Sequence, residues 1–523
     1  MKTIILTTVL IAAGCSMSAA KKPGQPEADA DSIAKQQRIQ EIRDSLNVIM
    51  DKAKAGDAAA MNEVGTWYYN GKHVNQDYAQ AYEWWKKASL KSDTKAIANL
   101  GLCYQLGRGV ERDSIDAVSL YEKSIKDGNM ALLSQRSENA DKSAFDAMLA
   151  GDCYEDGIGV AKDFSRAADF YAKAASKGSV DGMLHAGLCY LNAKNNGKAL
   201  EYFEKGASKG NLASEYWAGK MLLGGMGVAP NKEQAVVYLL KAAEGGMPAA
   251  QAETGTLYAE GNDVTKNLQQ AAEWFRKSAL QGNPKGMWSY GNALKDGSGV
   301  NQSYDQALFW MAEASQDGYR RAFKRMIASL DSIGNDSFSD YVKGMRLYLM
   351  EGRMKEASDL FKRVEKAGIK DGRVMQAVIL ASKRNEKANA KKAVKELEKL
   401  APEHPEAAFY LATLYETGNG TEQNMSKALE LYRKAADMGH GKAQSYLGDI
   451  FYEGRGTDKD LLTAVALYQK ALSNRQLSQT SAVRLAECYE NGLAGLSKDK
   501  KKAEQLRMGK YQDNVITLLK GLE

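Results

Sequence analysis

Residues Gly151–Asp163 read GDCYEDGIGVAKD, and glycines placed as in the central Gly-Ile-Gly-Val are what a phosphate-cradling loop needs to bring backbone N–H groups onto an anion. The phrase is not unique: GLCYQLGRGVERD starts at Gly101 and, more loosely, GNALKDGSGVNQS at Gly291. Dinucleotide and P-loop sites set the glycine turn after a strand and complete it as GxGxxG or GxxxxGK[ST]. No copy completes either motif, and each follows a helical pattern. The glycines, Gly157 and Gly159 in the quoted copy, are therefore expected to reverse the chain between two packed helices, with Val160 folding back onto the pair.

Other reactive side chains are sparse. Four histidines, His73, His185, His404 and His440, form no HExxH, and none pairs with cysteine at zinc-ligand spacing, so no metal site is assigned to them. His73 and His440 fall in turns, where a solvated side chain is expected. No GxSxG elbow is present. The sequence thus offers no catalytic residue set and no cofactor-binding motif.

The elements that carry these residues recur. Aligning the phrase puts glycine at 65, 101, 151, 187, 219, 255, 291 and 448, with Ala412 in the same slot. The spacing is mostly 36, broken by a gap of 50 that holds an insertion around Ala131–Ala144 and by a gap of 32 from a shortened turn at Leu191–Gly197. A fixed period in this range marks a solenoid of stacked units. Within one unit Ala96, Leu100, Cys103, Tyr104 and Gly107 share a helix face, which is the first helix. A second helix follows in DAVSLYEKSI, SRAADFYAKAASKG and QQAAEWFRKSALQG, with an aromatic pair or Leu-Tyr at its centre and a closing glycine such as Gly178 or Gly282. Trp84, Trp274 and Trp310 stand in that pair and are expected in the core. Cys103, Cys153, Cys189 and Cys488 share one buried slot before Tyr, filled by Trp67 in the first unit. Equivalent positions of stacked helices lie roughly 8–10 Å apart, beyond the ~7 Å between Cα atoms that a disulfide spans, so these thiols are expected to stay unpaired.

The pattern Ala-x-x-x-Leu-Gly-x-x-Tyr-x-x-Gly-x-Gly-Val, then Asp, Lys/Gln-Ala, the aromatic pair, Lys-Ala-Ala and Gly resembles the Sel-one-like repeat, a branch of the tetratricopeptide superfamily. The likeness covers about Ala58–Gly318 and again His404 to about Met508. It implies an all-α fold, an α-α superhelix (solenoid) of about twelve antiparallel helical hairpins. A cysteine-rich branch of the same family staples each repeat with two cysteines and is associated with penicillin-binding activity; this chain has at most one per repeat. Its Ser92-x-x-Lys95 and Ser497-x-x-Lys500 fall in loops, and the Lys-Thr-Gly partner motif is absent.

Net charge is +6 from 71 basic and 65 acidic residues spread without blocks, the pattern of a solvated surface, so no nucleic-acid partner is expected. Lys2 followed by an apolar run from about Ile4 to Ala13 reads as an export signal too short to span a bilayer. Two processing readings stay open: IAAGC resembles a bacterial lipobox that would lipidate Cys15, with Ala12 where that motif usually has Leu, and SAA before Lys21 suits ordinary cleavage near Ala20. The chain then divides as a signal segment 1–20, a flexible tether 21–31, a capping helix 32–56, a repeat array 57–320, divergent tetratricopeptide-like hairpins 321–403 and C-terminal repeats with a capping helix 404–523. Asp331–Asp340 reads as a bend or joint.

One position escapes the packing rule. Two residues before the repeat glycine the side chain varies freely, as Glu63, Asn99, Leu149, His185, Trp217, Glu253, Ser289, Tyr410 and Tyr446. It shares a face with the residue after the glycine, such as Lys220, Asn292 and Asp449, and the family resemblance implies that this helix lines the concave surface. Trp217, Lys220, His185, Tyr410 and Tyr446 are the candidate partner-binding residues, since aromatics on such a surface are favoured anchors, while packing against neighbouring repeats is the competing reading. The expected function is an exported, membrane-tethered, non-enzymatic scaffold that binds a protein or peptide partner in cell-envelope assembly or signalling. A peptidoglycan- or carbohydrate-binding protein is the second reading and an envelope hydrolase the third.

Overall fold

The structure, a computed structural model, describes residues 30–261, 263–333, 336–382, 387–509 and 514–520. The apolar leader, Cys15, nearly all of the polar tether and part of Asp331–Asp340 lie outside them. Among the described residues there are 28 α-helices, two short π-type turns and no strand. The fold is an all-α solenoid of helical hairpins, as the periodicity predicts.

Each hairpin is punctuated by its own sequence. First helices such as Ala58–Asn70, Thr94–Leu106 and Val180–Asn192 each run 13 residues. Asp57, Asp93 and Ser179 cap them, each side chain accepting from the backbone N–H three residues on. They end at Gly71 and Gly107 in the left-handed conformation, or at Ala193 in the shortened unit. In the quoted phrase Gly157 and Gly159 have φ of 75° and 70°, where the chain reverses between helices Ala144–Asp156 and Phe164–Ser176, which pack on each other.

The repeat glycine has a different task. A methyl group at Gly65 would come 2.6 Å from Trp85, at Gly151 2.5 Å from Tyr171, at Gly187 2.5 Å from Phe203 and at Gly255 2.6 Å from Phe275. In every case the ring belongs to the second helix of the same hairpin, so the missing side chain lets an aromatic ring lie directly on the first helix. The same packing joins Gly344 to Phe361 in the divergent stretch, at 2.7 Å. It is the second member of the aromatic pair that does this. Trp84 and Trp274 are consequently half-exposed, under Lys87 and Lys277, which corrects the expectation that they are core; Trp310 is buried.

Two compact units divide the chain, one ending at Pro230 and the other starting at Asn231. In the first, helix Ala30–Lys54 packs on Ala58–Asn70 through Met50 and Ala53, and the 50-residue gap holds a short helix, Met130–Asn139, that packs Leu132 and Leu133 inward. The second unit shares one continuous core. Its last helix, Asn514–Lys520, packs on Tyr304–Ala314 with Leu518 and Leu519 buried, and Arg475 Nε donates to Glu313 at 2.8 Å across 162 residues of sequence. This unit therefore folds back on itself, and the fold-back creates a cleft of about 790 Å³.

Helix propensity alone would make alanine better than glycine by about 1 kcal/mol inside a helix, whereas overpacking costs about 1–3 kcal/mol. Gly151→Ala is expected to lower stability by about 1–2 kcal/mol in urea unfolding. Gly197→Ala, where nothing lies within 4 Å, is expected to be neutral or to stabilise by up to about 0.5 kcal/mol. Equal effects at the two sites would contradict the packing role.

Candidate functional site

The reactive side chains are absorbed by packing. Cys103, Cys153, Cys189 and Cys488 are free and fully buried, as expected from their slot. Burial pushes the first three thiols up to about 12, which removes the thiolate that nucleophilic chemistry needs. Tyr171 lies over Gly151 and its hydroxyl donates toward Asp152 at 2.7 Å and Glu155 at 2.6 Å, on the facing helix. Tyr468 does the same to Asp449 at 2.8 Å, and Tyr432 to Glu416 at 2.6 Å. Residues after the repeat glycine thus hold the core tyrosines by their polar ends.

Three residues of the variable slot pack on a core aromatic. His185 lies on Tyr171 with ring centroids 5.1 Å apart, Trp217 stacks on Phe203 at 6.1 Å and Tyr446 on Tyr432 at 5.1 Å. Each ring lies against the core aromatic of the preceding hairpin. All three remain half-exposed, as do Lys220 and Tyr410. Lys220 Nζ stands 5.5 Å and 5.9 Å from the rings of Tyr216 and Trp217, a cation–π arrangement that fixes the group. Tyr446 and Arg455 Nη1 both donate to Glu416, at 2.9 Å and 2.8 Å. Tyr410 lies edge-on to Phe409 at 5.8 Å. His185, Trp217 and Lys220 belong to the first unit, Tyr410 and Tyr446 to the second.

The histidines behave differently from what their positions suggest. His440 is buried, not solvated: it caps helix Gly441–Glu453, its Nδ1 accepting from Ala443 N–H at 3.0 Å while Nε2 meets Glu406. His404 caps Pro405–Thr417 in the same way and faces Asp371, Nε2 to Oδ1 at 3.7 Å. His73 is half-covered, edge-on to Trp67 at 5.4 Å. An acceptor role for Nδ1 leaves the proton on Nε2, so the His440 imidazole satisfies a helix N–H and the buried Glu406 carboxylate at once, while His404 caps its helix with Asp371 close by. Asp371 in turn accepts from Tyr304 N–H at 3.1 Å and Asp305 N–H at 3.3 Å, capping helix Tyr304–Ala314 from a distant repeat.

Sequence reasoning missed this ladder of Asp371, His404, Glu406 and His440. Its only sequence signal is a histidine at the capping position in two successive units, with an acid two residues into the first. Against the burial that would raise it, His440 holds Glu406 down to about 2. Burial, then the charges of Glu406 and Asp371, raise Asp305 to about 7 despite Lys442 and His440. Among the described residues no three His, Cys, Asp or Glu side chains converge as metal ligands, and no helix is long and apolar enough to cross a membrane.

The Sel1 repeat family matches in ten segments, residues 58–93, 94–129, 146–179, 180–211, 212–247, 248–283, 284–319, 405–440, 441–474 and 480–506, more than half of the chain. A protective antigen of uropathogenic Escherichia coli displaying an SLR fold is 25% identical over 91% of this chain and 97% of that one, with a TM-score of 0.36. A Sel1 repeat protein from Oxalobacter formigenes is 28% identical, covering 53% of this chain and 78% of that one, with a TM-score of 0.34. The DAP3-binding cell death enhancer 1 of Rattus norvegicus is 29% identical over 85 residues, and this chain spans only 16% of that protein's length.

The raised carboxyl of Asp305 sets a pH dependence. The folded chain holds a proton there that the unfolded chain releases near its ordinary 3.8, so this group's contribution falls as pH rises from about 4 through about 7. Asp305→Asn cannot ionise, and its melting temperature is expected to exceed wild type at pH 7.5, with the gap closing near pH 4. A gap independent of pH in thermal melts would contradict the burial of that charge.

Proposed function

The chain belongs to the Sel1 repeat family, and from that premise we propose that it is a non-enzymatic scaffold whose first-helix surfaces capture a protein partner. A repeat scaffold of this kind is suited to protein binding, because stacked hairpins present an extended surface without a preformed reaction centre. The observation that carries the proposal is the state of the variable slot. Trp217 is seated on Phe203, braced by Lys220 and still half-exposed. An aromatic held in place before binding loses little conformational freedom when a partner covers it, which is how a few residues come to dominate an interface. His185, Tyr410 and Tyr446 offer the same half-open ring elsewhere in the two units.

Export and a lipid anchor through Cys15 belong to the same reading, supported by the apolar run from Ile4 to Ala13 and by Gly14-Cys15. A role in cell-envelope assembly or signalling follows from that location.

Photo-crosslinking of the purified chain in extracts of its source cells, read by mass spectrometry, is expected to recover one dominant protein. Trp217→Ala should reduce its capture by at least tenfold, in line with anchor residues worth about 2 kcal/mol or more. Undiminished capture by Trp217→Ala and Tyr410→Ala would overturn the assignment. Metabolic labelling with an alkyne fatty acid should mark wild type and leave Cys15→Ser unlabelled; label on neither would remove the anchor.

A further inference from the structure

On several helices an exposed lysine is met by an acid one turn away, as Lys123 is by Asp127, Lys205 by Glu201 and Lys277 by Glu273. Helix Arg320–Ile333 breaks that pattern. It follows Tyr304–Ala314 through the π-type turn Ser315–Tyr319, where the repeat match also ends. Between Asp317 and Asp331 the sequence has no acid, and Arg320, Arg321, Lys324 and Arg325 are all exposed. None of the four has an acid partner among the described residues. Asp331, the one acid of the helix, is engaged by Lys343 at 2.6 Å and by Ser339.

On a helical wheel the four cations fall within an arc of about 140°. Arg320 and Lys324, like Arg321 and Arg325, stand four residues apart, the spacing at which like charges repel and weaken a helix. The opposite side holds the helix in place: Phe323 and Ile327 are buried in the core of the second unit, with Met326 and Leu330 packed against it. Packing thus accounts for the inner face, and the fold gains nothing from the charges on the outer one.

The partner of such a face follows from what the face lacks. Besides the four cations and Asp331, the exposed residues of the helix are Ala328, Ser329 and Ser332. A protein interface is built around buried aromatic or apolar anchors, and a single-stranded nucleic acid stacks its bases on aromatic platforms; this face carries neither. An anionic lipid surface asks only for basic side chains held close to its headgroups, and the rounded outer side of one helix meets a plane without needing a groove.

We propose that the outer face of helix Arg320–Ile333 lies on an anionic lipid surface, with Arg320, Arg321, Lys324 and Arg325 paired to headgroup phosphates. Each guanidinium fork can donate two hydrogen bonds to one phosphate, and Lys324 adds a point charge. No side chain enters the hydrocarbon, since the apolar side of the helix faces the core. This inference rests on the reading of the chain as membrane-tethered, and adds which side of the second unit faces the lipid.

The test is cosedimentation of the full chain carrying Cys15→Ser, which cannot be acylated there, with vesicles of phosphatidylcholine alone or mixed equally with phosphatidylglycerol. Binding to the anionic vesicles is expected to exceed binding to the neutral ones at least tenfold and to be lost in about 0.5 M salt. With each cation near such a surface worth about fivefold, Arg321→Gln combined with Arg325→Gln should weaken anionic binding by at least tenfold. Lys391→Gln with Lys395→Gln removes the same charge from exposed positions on helix Lys387–Leu400 and should leave binding within about twofold. Circular dichroism of both variants is expected to match wild type. Equal binding to the two vesicles, an arginine variant that binds like wild type, or a lysine control that weakens binding as much would overturn the proposal. So would an arginine variant that loses a crosslinked protein but keeps its hold on anionic vesicles, which would assign the face to a protein. Vesicle preference without fatty-acid label on wild type removes the Cys15 anchor and leaves this contact standing, whereas label without vesicle preference removes the contact alone.

Discussion

The contact between a repeat glycine and an aromatic ring governs the rest of this structure. A side chain at Gly65, Gly151 or Gly255 would occupy the space where Trp85, Tyr171 or Phe275 lies, and interiors packed to crystal-like density leave no other room for it. The ring, lying directly on the first helix, fixes the spacing of the two helices in the hairpin. Where the ring is tyrosine, its hydroxyl passes beyond the glycine and is met by an acceptor on the first helix, as Asp152 and Glu155 meet Tyr171 or Asp449 meets Tyr468. The same ring is met by the next hairpin through His185 on Tyr171 and Trp217 on Phe203. One close approach therefore organises a hairpin, its polar edge and its junction with the following unit.

This economy explains why the chain's tyrosines, its few cysteines and its buried acids point to a recognition surface. Thiols raised by burial, carboxylates engaged by tyrosine hydroxyls and imidazoles that cap helices are all occupied in holding the fold. Side chains left partly open stand at the seams between hairpins. The second unit adds a feature that a simple array lacks: Asp371 caps a helix from a distant repeat and Arg475 reaches Glu313, so the unit folds back on itself around a cleft.

The period, the all-α class, the turn role of Gly157 and Gly159 and the unpaired cysteines were legible because each depends on residues inside one unit or at one repeated slot. The purpose of the repeat glycine was not, since its partner lies 20 residues away in most units and 16 in the shortened one, on the other helix. Which member of the aromatic pair faces inward is hidden for the same reason: nothing local separates Trp84 and Trp274 from Trp85 and Phe275, which fill the core. The burial of His440 is hidden because a position just before a helix is a turn in sequence but a buried cap in space. The ladder with Asp371 and Glu406 joins residues about one repeat apart, which local patterns do not register.

Native-state hydrogen exchange read by mass spectrometry tests most directly whether the glycine–ring contact holds the hairpins together. Amides flanking Gly101, Gly151, Gly255 and Gly448 should be the slowest in their hairpins and should exchange only with cooperative opening of the whole hairpin, while the glycine-rich turns exchange early. Peptides containing those glycines that exchanged as fast as the turns would contradict the account.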